Sequence, residues 1–409
     1  MRAILVSCSD GPFPAIRRTV IAAVVATFLT CGTTAGQESA PAVAVTRRPL
    51  ITEIVDESRL TTLKGNTHRL ARPEFDLGTA PANLSMDRML LVLKRNPEQE
   101  TALRKLLDDQ QDKASPSYHK WLTPEQLGKQ FGPSDGDMQA ITGWLQSHGF
   151  QVGTTKGRTV LEFSGSASQV REAFHTPIHK YIVNGEQHWA NASDPQIPTA
   201  LAPAVAGVLT LHNFLKNPHL RMVKQRVAAK IRPGKSPELT FSDGTHALGP
   251  ADYATVYNIN PVYNAGDSGQ GVQIAVIGRS NLYAGTQPGQ DVLDFRQNFL
   301  PSFGAGGFQV TLNGPDPGDL GGGEEAEATL DTTWAGAIAP GASVNLVVSA
   351  STNTADGIDL SEVYIVENNL APVMTESFGS CEALSTNAQA MGVSALAEQA
   401  AVQGSTNLV

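Results

Sequence analysis

Cysteine is nearly absent from this 409-residue chain. Of Cys8, Cys31 and Cys381, the first two lie in or beside an N-terminal leader. Removal of that leader leaves Cys381 alone, which excludes a disulfide framework within the chain. No Cys/His cluster has ligand spacing, which argues against a zinc centre. Membrane-length apolar runs are missing too: residues 19–29 form an apolar stretch of 11 residues, too short to cross a bilayer, and no other segment could do so. Positive charge is scarce in the second part. Beyond residue 250 there is no lysine, and only Arg279 and Arg296 stand against 17 Asp and Glu. The basic residues elsewhere do not cluster with aromatics on one face, so nucleic acid is not an expected partner.

What is present is ordinary for a globular protein: 41% hydrophobic and 17% charged residues, with length for two or three domains. Residues 1–36 read as an export signal. Arg17 and Arg18 precede the apolar stretch, and Thr33, Thr34 and Ala35 offer a cleavage site. The expected product is secreted and free of the membrane once the leader is gone. The net charge of −9 hides an asymmetry, because residues 1–250 hold 28 Lys and Arg against 22 Asp and Glu. A basic first part and an acidic second part attract, less so as carboxylates protonate; compositional drift would leave the same imbalance.

Residues 37–80 are mixed and poorly periodic, with one short strand expected around 51–55. Residues 81–214 read as one α+β domain. A strand is expected at 88–93, and helices at 97–111 and 124–131, the latter capped by Thr123. A third helix is expected to be capped by Asp135, with Met138, Ile141, Trp144 and Leu145 on its inner side. Strands at 150–152 and 159–163, a helix at 166–174 and a hairpin across Asn184-Gly185 complete the domain. This order suggests a ferredoxin-like sandwich with insertions. Residues 215–250, with seven Lys and Arg among prolines and glycines, read as an exposed linker and the expected place of maturation cleavage. From residue 251 strands and helices alternate. The apolar run 272–277 reads as a buried parallel strand, and the pattern predicts a doubly wound parallel sheet.

The second part is organised around GGGEEAEATLDTTWAGAIAPGA (321–342). Acids open a predicted helix there, where the macrodipole favours them. Glu327 and Asp331 are four residues apart and share one face, with Trp334 on the same side. A proton shared between such carboxylates raises one pKa and lowers the other, which suits a general base at acid pH. Composition alone describes an acid-rich, solvated helix start equally well.

The flanking stretches GQGVQIAVIGRSNL (269–282) and PVMTESFGSCE (372–382), with SPSYHKWLTPEQLGKQFGP (115–133) and DYATVYNINPVYNAG (252–266), resemble the sedolisin family of serine-carboxyl peptidases. The resemblance spans roughly residues 80–409. It implies a pro-kumamolisin-type activation domain at 81–214, acting as folding aid and inhibitor, followed by the N-terminal part of a subtilisin-like α/β peptidase domain. It also implies Glu327 as general base, Asp331 as the residue that orients it, and Ser377, Phe378 and Gly379 as contacts to the substrate backbone. Substrates would be proteins or peptides, and the propeptide an intramolecular partner. Calcium is implied with ligands beyond Val409. Two family motifs are not found after the strand expected at 406–409: the Gly-Asp-Ser-Gly turn whose Asp helps form the oxyanion hole (the same four residues at 266–269 come before the first strand of this part), and the Gly-Thr-Ser that carries the nucleophile, which occurs nowhere in the chain. The expectation is therefore a secreted acid peptidase precursor that ends partway through its catalytic domain, with Cys381's partner further on, and inactive by itself. The alternatives are a propeptide-like inhibitor of full-length relatives and a non-catalytic binding protein of the same fold.

Overall fold

The computed structural model describes residues 48–219, 239–240, 246–282, 289–300 and 306–409. The leader lies outside the described residues. The first part contains β1 (Leu60–Thr62), β2 (Asp76–Thr79), β3 (Ser85–Leu93), α1 (Pro97–Gln111), α2 (Pro124–Phe131), α3 (Asp135–Ser147), β4 (Gln151–Val152), β5 (Val160–Ser166), α4 (Ala167–Phe174), β6 (Ile178–Val183), β7 (Glu186–Asn191), β8 (Gln196–Pro198) and β9 (Val205–Val208). All four helices start on reciprocal caps. Asn96, Thr123, Ser134 and Ser166 accept from the N–H three residues on, and the side chains of Gln99, Gln126, Asp137 and Gln169 return to the cap's own N–H. The cap of α3 is thus Ser134, not Asp135, because Asp137 supplies the returning carboxylate.

β4-β5-β3-β9 form an antiparallel sheet. The hairpin β6-β7 turns on Asn184 (φ 53°) and Gly185 (φ 86°), the left-handed pair that a two-residue turn of this kind needs. It lies outside that sheet and joins β2 in a separate three-stranded one. Residues 48–80 are more structured than their weak periodicity suggests, because long-range bonds hold them. β1 pairs with β8, and β2 with β6. Residues 51–55 form no strand; instead the Leu50 and Ile51 N–H groups donate to Asp137 Oδ1.

The second part contains β10 (Asn217–Pro218), the short pair β11 (Leu239–Thr240) and β12 (His246–Ala247), α5 (Pro250–Val256), α6 (Asn260–Asn264), β13 (Gln273–Gly278), α7 (Gln290–Phe299), β14 (Phe308–Leu312), α8 (Gly322–Ile338), β15 (Ser343–Val348), α9 (Gly357–Glu367), β16 (Val373–Thr375), β17 (Phe378–Gly379), α10 (Asn387–Val402) and β18 (Thr406–Leu408). β14-β15-β13-β16-β18 form the expected parallel sheet. Val292 and Ala328, from α7 and α8, pack with Val276, Val344 and Leu346 on one face. Ile358, Ile365 and Leu396, from α9 and α10, pack with Ala275, Ile277 and Val347 on the other. The chain leaves β13 towards β14 and β15, then returns to the other side for β16. That reversal places a crevice at the carboxyl ends of β13 and β16.

The two parts share a core. β3 is an apolar run with both faces covered. Met89, Leu91 and Leu93 face the core of the first part, whereas Leu90 and Val92, with Val160 and Leu209, pack into the cluster of α9 and α10.

Candidate functional site

Gly321 and Gly322, both at positive φ, turn the chain into α8, whose first turn carries Glu324 and Glu325. One turn further, Glu327 is 2% exposed. Asp331 faces β16 and the residues after it, and its Oδ1 accepts a 2.8 Å hydrogen bond from Ser377 Oγ. Its Oδ2 is buried and accepts no hydrogen bond among the described residues. Burial pushes the Asp331 carboxyl up to about 6; the Ser377 hydroxyl opposes this, and the nearby Glu327 charge adds to it. Asp331 therefore keeps its proton to a higher pH than an ordinary carboxyl does, and it carries that proton at acid pH. Trp334 packs on Tyr253, with ring centroids 4.4 Å apart. Together Asp331, Trp334, Ile274, Thr375 and Leu408 line a cavity of about 380 Å³.

Ser377, Phe378 and Gly379 lie together at the carboxyl end of β16. Phe378 is buried beneath the Arg279 guanidinium, 5.1 Å from its ring centre. The strand edge is occupied: β10 lies antiparallel on β17, with Asn217 opposite Gly379 and Pro218 opposite Phe378. The His219 N–H donates to the Ser377 carbonyl at 3.0 Å. Of the linker expected to be exposed over 215–250, residues 215–219 are thus docked; residues 220–238 and 241–245 lie outside the described residues.

Lys216 holds that docked segment in place, by a cluster the sequence reading missed. Its Nζ lies 2.9 Å from Asp359 Oδ1 and 2.8 Å from Glu376 Oε1. Its N–H donates to Asp356 Oδ2, and its carbonyl accepts from Arg279 Nη2. Arg279, 4% exposed, also pairs with Asp356 and Glu324. Burial would lower the Lys216 ammonium, but Asp359, Glu376 and Glu362 outweigh it and hold it well above its ordinary value. Glu362 is pushed up to about 8, by burial first and the Glu376 charge second. A signal was available: Asp356, Asp359 and Glu362 recur every three residues in DGIDLSEVYIV, an otherwise apolar stretch, and buried acids need partners.

Beside the linker, Phe214 is stacked between the rings of His68 and His188, each centroid 4.2 Å away. His68 and His212 are buried, and their Nδ1 atoms accept from the Leu70 and Phe214 N–H groups. Burial pushes His68 down to about 3 and His212 down to about 4. An unfolded chain takes up these protons near pH 6.5, the folded one only near pH 3–4. The folded state therefore binds fewer protons in that window, and stability is lost as pH falls through it. His212 alone accounts for roughly 3 kcal/mol between pH 7 and pH 4. In urea unfolding, His212→Gln is expected to flatten the loss of stability over this range by about one proton; an unchanged slope would mean the ring is protonated in the fold.

Among the described residues no helix is long and apolar enough to cross a membrane. No group of three His, Cys, Asp or Glu among them is placed to hold a metal ion, and no step below uses one.

Comparison with known proteins agrees with this architecture. Residues 76–214 match the family described as "Pro-kumamolisin, activation domain". Sedolisin of Pseudomonas sp. (strain 101) is 28% identical over 301 residues, covering 72% of this chain and 48% of that protein. Xanthomonalisin of Xanthomonas sp. (strain T-22) is 28% identical over 386 residues, covering 88% and 44%. Kumamolisin of Bacillus sp. (strain MN-32) is 24% identical over 307 residues, covering 73% and 51%. The chain spans about half the length of these curated relatives. With a pro-kumamolisin activation-domain match in its first part, a parallel α/β sheet in its second, and similarity to three such proteins running across both, this chain resembles the sedolisin family.

Proposed function

We propose that the chain is the precursor part of a secreted, acid-active serine-carboxyl peptidase. Glu327 takes the proton from the attacking serine, and Asp331, protonated at acid pH, orients Glu327 and tunes its charge. A carboxylate base stays ionised where a histidine would already be charged. The strand edge Ser377–Gly379 holds the substrate backbone. The observation that carries this reading is the Ser377 hydroxyl on Asp331, with an extended segment of the chain paired to the same strand edge. The first part is read as a ferredoxin-like propeptide with an inserted hairpin, supported by its strand order β4-β5-β3-β9. Maturation would cut within the linker. The Gly-Thr-Ser motif of the nucleophile does not occur in residues 1–409, so this chain assayed alone is expected to hydrolyse no peptide at pH 3–5. Serine-reagent-sensitive turnover by it would contradict that assignment.

A second reading has its own support. The docked residues 215–219 cover the strand edge, so the chain could serve as an inhibitor of related peptidases. Reading the coding sequence past the Val409 codon separates the two. A Gly-Asp-Ser-Gly turn and a later Gly-Thr-Ser support the peptidase; an immediate stop overturns it and leaves the inhibitor, tested by titrating an active sedolisin with this chain.

A further inference from the structure

We propose that Asp359, Glu362 and Glu376 form a subsite that accepts the basic side chain of a peptide substrate, and that Lys216 fills it only as a stand-in. This deepens the peptidase reading and rests on it for the word substrate; the cation selectivity itself does not depend on catalysis.

The geometry begins with the backbone. Residues 216–219 run extended and antiparallel along β17, from the Lys216 carbonyl held by Arg279 to the His219 N–H held by the Ser377 carbonyl. These are main-chain contacts, so any extended peptide can make them in the same register. Selectivity has to come from side chains, and at the Lys216 position the chemistry is sharply defined. The walls come from the second part of the chain, not from the activation domain: Asp359 and Glu362 from α9, and Glu376 from the residue after β16. All three are buried, at 7%, 2% and 7% exposure. When the linker leaves, the pocket stays behind.

An empty pocket of this kind is costly. Asp359 and Glu376 each lose the one ammonium they contact, and buried carboxylates without a partner are strongly unfavourable. The nearest other cation, Arg279, is already committed to Asp356 and Glu324. Beyond residue 250 the sequence offers only Arg296 besides, and its guanidinium donates to the Pro340 carbonyl. In this structure the charge opposite Asp359 and Glu376 is supplied by Lys216, from the segment docked on β17. A lysine or arginine three positions before the residue that meets the Ser377 carbonyl is the occupant whose backbone is already held there. A neutral or acidic side chain at that position would leave the carboxylates unpaired, which is the stronger part of the discrimination.

The test uses the chain as it exists, with the pentapeptide Leu-Lys-Asn-Pro-His (the sequence of residues 215–219) and its analogue with Met in place of Lys. Fluorescence anisotropy measures both peptides on the Lys216→Met chain, whose own segment no longer competes well. The expected result is at least a tenfold tighter Kd for the Lys peptide, reduced to near equality when Asp359→Asn and Glu376→Gln are added. Equal binding of the two peptides, or a Lys preference that survives neutralisation of both carboxylates, overturns the proposal. A second measurement, independent of whether Lys216→Met folds, needs only Glu376→Gln and the wild type. Tryptic cleavage at the Lys216–Asn217 bond, followed by mass spectrometry, should be at least tenfold faster in Glu376→Gln, because the ammonium loses a partner and the segment lifts. An unchanged rate overturns the proposal as well. Failure of the peptidase reading looks different: Lys-selective binding without hydrolysis in any form of the protein removes the catalytic role and leaves the subsite standing, whereas hydrolysis without Lys selectivity removes the subsite alone.

Discussion

In a form of the protein that carries the motif serine, Glu327→Gln is expected to lower kcat at pH 3–5 by about 10²–10⁴ with little change in KM. This is the usual worth of a positioned general base. Gln keeps the volume of Glu327 and a hydrogen-bonding side chain in a site that is 2% exposed, so the fold should survive. Asp331→Asn is the informative companion, because it separates activity from stability. The Asp331 pKa is raised in the fold to about 6 by burial, partly opposed by Ser377 and helped by Glu327. The folded state therefore holds a proton that the unfolded chain releases near pH 4. The stability this proton provides is present below pH 4 and is lost as pH rises through 6. Asn mimics the protonated form and keeps an acceptor for Ser377. The variant should therefore lose activity, yet melt at a higher temperature than wild type at pH 7 and at a similar temperature at pH 4. Equal melting temperatures at both pH values would show that the Asp331 carboxyl does not hold its proton in the fold. Such opposed effects are expected where a site is strained for function.

Arg279→Met should destabilise the folded chain by about 3–5 kcal/mol, the cost of removing one partner from buried charges. The guanidinium is 4% exposed; it pairs with Asp356 at 2.9 Å and Glu324 at 2.7 Å, donates to the Lys216 carbonyl and covers Phe378. Met restores some of the packing against Phe378 but none of the charge. Since whole domains are stable by only about 5–15 kcal/mol, this change threatens folding outright. Adding Asp356→Asn should recover part of the loss, because one stranded carboxylate is then neutral. A urea midpoint within error of wild type for Arg279→Met would mean that water, not Arg279, satisfies these acids. Lys216 ties this network to the linker, so increased proteolysis within 215–219 should accompany the loss.

Much of the local architecture was legible in the residues. Thr123 followed by Pro124 and Gln126, and Asn184-Gly185 between two strands, are decisions made within a few residues. The chain alternates strand and helix after residue 250, and its parallel sheet follows from that alternation. The four-residue spacing of Glu327 and Asp331 fixed their common face on α8. It could not say that Asp331 would hold a proton up to about pH 6, because that follows from burial in the packed fold, against the opposing Ser377 hydroxyl 46 residues further on. The weak periodicity of residues 48–80 and 215–219 hid their long-range pairing for one reason. Weak periodicity describes what a segment can do alone, whereas β1, β2 and residues 215–219 are held by partners far away in the chain.

The sequence by itself determined the elements, the parallel sheet, the paired carboxylates and the family they resemble, since each depends on spacing, capping and short motifs. Only the tertiary structure decided that Lys216 would be drawn into Asp359 and Glu376. A lone lysine and two acids more than a hundred residues away carry no local signal of pairing, and the energy that joins them arises only once the packed interior has removed the water between them.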